Sequence, residues 1–98
     1  MISCPKHKRF ESAKYKAFVR TLPCVICHKT PSECHHVRIS HNAGIGIKPD
    51  DTWSIPLCTN HHRGIHDSGQ KTFCFIKEID LYRELFLTAK AFIEEQLN

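Results

Sequence analysis

Trp53-Ser54-Ile55-Pro56-Leu57-Cys58-Thr59-Asn60-His61-His62-Arg63-Gly64-Ile65-His66 passes from a short β-prone run into a helix whose first turns carry one thiol and several imidazoles. Cys58 and His61 enclose two residues, the same gap that separates Cys24 from Cys27 far upstream. Two half-sites with this spacing offer four soft donors to one tetrahedral ion, and thiolate with imidazole is the usual set for structural zinc. His62 is the competing fourth ligand, and the equal spacing favours His61. His62 and His66 lie four apart, so both leave one face of the helix. His35 and His36 open a run to Ile39 in which β-branched residues alternate with polar ones. Two imidazoles from the helix and one from a neighbouring strand can hold a divalent cation on three sides. Positions then stay open for water or a phosphate oxygen, which a catalytic site needs and a structural one lacks.

Working outward, 98 residues allow one domain, in which a metal cross-link would add needed stability. Ser12 is placed to cap a helix to about Leu22, with Tyr15, Phe18, Val19 and Leu22 as its buried stripe. Pro23 ends it, because proline disfavours helical geometry in the preceding residue. Residues 24–34 read as a zinc knuckle and turn, residues 35–39 as a strand, residues 40–52 as a loop, and residues 53–57 as a second, edge-like strand containing Pro56. Thr59 is expected to cap a helix to about His66, and Gly69 marks a break before another helical turn or two over residues 70–77. Asp80 caps the last helix, about 80–96, with Leu81, Leu85, Ala89, Phe92, Ile93 and Leu97 as its apolar face. That helix could pair with a second copy or cap the core.

The apolar fraction of 41% suits a folded chain, and no apolar run reaches the length of a membrane span. Met1 to Phe10 is basic and lacks the apolar stretch of a secretory leader, so a cytoplasmic, reducing setting is expected. Six cysteines in that setting favour metal over disulfides. Residues 1–22 carry six Lys/Arg against Glu11 alone, whereas residues 66–98 are net negative. A basic N-terminal arm is the footprint of a phosphate-backbone partner. Lys8 and Arg9 in the arm, with Arg38, Lys48 and Arg63 near the histidines, are the expected phosphate contacts. Cys34 reads as a packing residue, Cys4 and Cys74 have no motif, and His7, His28 and His41 read as solvent-facing.

The ordered set Cys24-x2-Cys27, Cys34-His35-His36-Val37, Pro56-Leu57-Cys58-Thr59-Asn60-His61-His62 and His66 resembles the HNH (ββα-metal) endonuclease family. The likeness is greatest to small phage and prophage members and covers roughly residues 22–76. It implies an α+β, treble-clef-like ββα-metal domain with a zinc knuckle, flanked by the N- and C-terminal helices, in one unit over 1–98. It implies that His35, His62 and His66 bind a catalytic Mg2+, Mn2+, Ni2+ or Zn2+, and that His36 is the general base. Cys24, Cys27, Cys58 and His61 would hold structural Zn2+. The partner would be double- or single-stranded DNA, with phage or host recombination or packaging proteins as further partners. The products would carry a 5′ phosphate and a 3′ hydroxyl. The family's central Asn, which tethers the loop, is replaced by Trp53; Asp50, Asp51 or Thr52 could supply that tether instead. The resulting expectation is a metal-dependent DNA endonuclease. The alternative is a non-catalytic zinc-knuckle module that binds nucleic acid or protein.

Overall fold

The Ser12 hydroxyl accepts the Tyr15 N–H at 3.0 Å and starts α1 (Ala13–Thr21), which stops at Leu22 ahead of Pro23. A computed structural model of the chain describes residues 9–39 and 49–98. After the knuckle, β1 (Glu33–His36) pairs antiparallel with β2 (Ser54–Leu57), in the register Glu33 with Leu57, Cys34 with Pro56, His35 with Ile55 and His36 with Ser54. Three helices follow: α2 (Thr59–Ser68), α3 (Gln70–Lys77) and α4 (Leu81–Leu97). The result is a small α+β fold with a two-stranded sheet and four helices. No helix among the described residues is long and apolar enough to cross a membrane.

Every residue of β2 is buried, because α1 and α2 pack on both strands while α4 packs on β2. Cys24, Val37, Ile55, Leu57, Ile65, Phe73 and Leu85 form the core. Gly69, at φ 85°, makes the sharp break between α2 and α3, a conformation that costs an L side chain more than glycine. Gly64 lets α2 and α3 approach closely, since a Cβ there would sit 3.2 Å from the Phe73 ring.

Three expectations shift. The first strand runs over 33–36 instead of 35–39, and beyond it the chain is carried by Gln70, whose side-chain amide donates to the Arg38 carbonyl at 2.7 Å. The cap of α2 is Cys58 with no side-chain bond, while the Thr59 hydroxyl donates to Glu33 at 2.9 Å. In α4, Asp80 caps as expected by accepting from the Tyr82 and Arg83 N–H groups. The buried face, however, centres on Leu85 and Thr88, and Ile93 and Leu97 stand outside it.

Phe92 locks α4 to α1 through edge-to-face contacts with Tyr15 at 4.9 Å and Phe18 at 5.3 Å between centroids. Phe92→Ala removes both contacts and should cost roughly 2 kcal/mol. A lower urea midpoint at unchanged denaturant slope would register that loss.

Candidate metal centres and cleft

The knuckle bends sharply at His28, with φ 62°, and the Cys24 N–H reaches the Lys29 carbonyl at 3.0 Å. This brings Cys24 and Cys27 to the N-terminal end of α2, where Cys58 and His61 lie one helical turn apart. The four donor atoms all lie within 4.8 Å of one another. Cys27 and Cys58 sulfurs are 3.7 Å apart, and His61 Nδ1 is 3.2 Å from the Cys58 sulfur and 3.6 Å from that of Cys24. Zinc–sulfur bonds of about 2.3 Å in a tetrahedron place sulfurs roughly 3.8 Å apart. The donor set therefore fits a metal ion such as zinc. Burial pushes the Cys24 thiol up, but backbone N–H groups of Cys27, Cys58 and Ile26, with the His61 ring, outweigh it and bring the group down to about 6. A thiolate near neutral pH is the form that ligates.

His62 takes no part in that cluster. It turns instead to His35 and His66, with ring centroids 5.2 Å and 4.8 Å away, and His35 lies 5.5 Å from His66. Ligand atoms of these three rings also fall within 4.8 Å of one another. The two clusters separate because His61 and His62 are consecutive on a helix and so diverge by about 100°. Burial holds the His35 imidazole down to about 4, with Gln70 opposing, so the ring is neutral and able to ligate at cell pH. The rings border an open cleft of about 460 Å³ that His36, Arg38 and Gln70 also line.

One carboxylate, Glu33, escaped the sequence reading, and Asp51, a candidate tether there, takes His36 as its partner. Glu33 accepts from His62 Nδ1 at 2.7 Å, which puts the proton on Nδ1 and leaves Nε2 as the donor atom. The His62 ring, then Thr59, lowers the Glu33 carboxyl below its ordinary range. Along β1, Glu33 and His35 share one face of the strand and both meet the histidines of α2. His36, which also lines the cleft, has its Nε2 2.8 Å from Asp51 Oδ1. Asp51 is fully buried and also accepts the Ser12 N–H at 2.7 Å and the Arg9 guanidinium at 3.1 Å. Burial raises its carboxyl, but His36, the Ser12 N–H, Lys16 and Arg9 together bring it below the ordinary value.

Among the candidate tethers, Asp51 holds His36, Asp50 accepts the Phe10 N–H at 2.8 Å, and Thr52 is exposed. Trp53 serves through its backbone: its carbonyl accepts the Val37 N–H at 2.7 Å. Arg9 is turned inward, onto the Pro49 carbonyl, Asp51 and Glu11, so its guanidinium is already engaged. Arg38 and Arg63 are exposed, and Lys8 and Lys48 lie outside the described residues.

Residues 1–74, which hold every donor of both clusters, match the family model described as "Protein of unknown function (DUF968)". The chain belongs to this family. A stretch of 62 residues, 63% of the chain, is 36% identical to the "Uncharacterized protein YdfU" of Escherichia coli (strain K12). That stretch spans 18% of YdfU. No solved structure matches the chain.

Cys58→Ser should lose bound zinc and cost more than about 4 kcal/mol of stability, as loss of a structural metal does. Metal content by mass spectrometry and thermal unfolding test both effects. Folding favours the ionised form of Asp51, so its contribution is complete above the ordinary carboxylate range and fades as pH falls through the lowered native value. Asp51→Asn should therefore destabilise by roughly 1–3 kcal/mol near neutrality, and urea titrations across pH should show the gap closing as pH falls below the ordinary carboxylate range.

Proposed function

We propose that the chain is a metal-dependent DNA endonuclease of the ββα-metal (HNH) type, in which His36 activates the attacking water. The observation that carries this reading is the convergence of His35, His62 and His66 beside a cleft that His36 also borders. Three imidazoles do not complete the four-donor shell of a structural ion, which separates this group from the closed Cys24, Cys27, Cys58 and His61 set. Knuckle, hairpin and helix occur in the order of the ββα-metal arrangement, with both metal groups seeded at the start of α2.

A carboxylate can only accept, so the 2.8 Å contact to Asp51 places the proton of neutral His36 on Nε2. Nδ1 then carries the lone pair that takes a proton from water. The imidazolium that forms sits against a buried carboxylate, which orients and stabilises it, as the acid does in a Ser-His-Asp triad. Glu33 fixes the orientation of His62 in the same manner. Arg38, at the cleft edge, and Arg63, on the exposed side of α2, are suited to phosphate contacts that position DNA. A divalent ion held by His35, His62 and His66 would supply Lewis-acid neutralisation of charge on the scissile phosphate and the leaving oxygen.

Supercoiled plasmid incubated with the protein and Mg2+, Mn2+ or Ni2+ should be nicked. His36→Ala should slow nicking by about 10²- to 10⁴-fold while bound zinc stays unchanged. Undiminished activity in that variant would exclude His36 as the base. No nicking with any of the three ions, alongside intact zinc, would favour the non-catalytic binding module.

A further inference from the structure

The last helix has two apolar faces, and the core uses one. Leu85 and Thr88 are buried and Phe92 packs on α1, whereas Tyr82, Phe86, Ile93 and Leu97 are 60%, 65%, 58% and 81% exposed. At 100° per residue these four fall within a 60° sector that runs the length of α4, with Ala89 20° beyond its edge. Their spacing of four, three and four residues through Tyr82, Phe86, Ala89 and Ile93 is the rhythm of a helix–helix seam. At typical side-chain areas the four large residues leave on the order of 600 Å² in water, most of the ~800 Å² each partner buries in a stable interface. A single domain of this size rarely leaves so continuous a stripe uncovered. The helix also lies outside residues 1–74, the part matched by the family model.

We infer that α4 pairs antiparallel with α4 of a second copy of this chain. The argument for that occupant is self-complementarity. Reversing the helix about its midpoint sets Tyr82 opposite Leu97 and Phe86 opposite Ile93, a large ring against an aliphatic chain at each position. On one flank of the stripe, Arg83 sits near the N-terminal end and Glu94 near the C-terminal end. In an antiparallel two-fold pair the same flank of each helix meets its counterpart, so Arg83 of either copy faces Glu94 of the other. A parallel two-fold pair brings opposite flanks together, so Arg83 and Glu94, which share one flank, would form no such ion pair. Lys90, paired with Glu94 at 2.7 Å, flanks the same edge and orients the carboxylate.

Sedimentation equilibrium of the full zinc-loaded chain should give twice the chain mass. Phe86→Glu, on a residue outside both metal clusters and the cleft, should return the monomer mass with zinc content and helical circular-dichroism signal retained. Arg83→Glu should weaken dimerisation roughly three- to tenfold, the scale of two surface ion pairs. The double change Arg83→Glu with Glu94→Arg should recover most of that loss. A monomer mass for the parent chain throughout the accessible concentration range would overturn the pairing. A dimer indifferent to Phe86→Glu would overturn this face as the interface, and absence of rescue in the charge-swapped chain would overturn the antiparallel order.

Discussion

The convergence of Cys24 and Cys27 with Cys58 and His61 is the constraint on which the remaining geometry depends. Both half-sites are short local motifs, but between them lie the whole hairpin and the loop joining its strands. Drawing the half-sites together closes that long segment against the start of α2. In a chain too short to bury a large core, a metal held there would contribute folding free energy directly. The same junction aims the helix. With His61 committed to the cluster, the next residue, His62, has to leave α2 on a different side, and His66 follows it one turn later. The position of the second cluster is therefore a consequence of the first.

A second organising group is the Asp51 carboxylate. It is buried and ionised, a combination tolerated only because His36, the Ser12 N–H and Arg9 all donate to it. Through those contacts one side chain joins the loop before β2, the entry to α1 and the end of β1. Two aspartates divide the work of fixing this loop. Asp51 orients the histidine ring, and Asp50 pins the N-terminal segment at Phe10. Arg9 illustrates why a basic arm is an ambiguous signal. Its charge balances a buried carboxylate, and this internal ion pair is as good an explanation of the residue as a phosphate partner.

What could be read from the order of residues was what depends on near neighbours. Ligand gaps of two and three residues, the caps at Ser12 and Asp80, the stop at Pro23 and the break at Gly69 all act within a turn or two of chain. They set the helices and the two donor groups before any long-range contact is considered, because backbone geometry alone decides which side chains share a face. His61, one turn beyond Cys58, lies in the first cluster, and the next residue, His62, lies in the second.

Tertiary structure decided whatever joins distant residues. Glu33 reaches His62 across 29 positions and Asp51 reaches His36 across 15, and no local pattern marks either acid as a partner. The apolar stripe of α4 shows the same limit from another side. Its outer and inner faces are both hydrophobic, so periodicity names a helix without naming the face that Phe92, Leu85 and the sheet will take. Burial depends on which surfaces meet once the hairpin is closed. Short-range stereochemistry can propose the elements, and only the assembled packing assigns each face its neighbour.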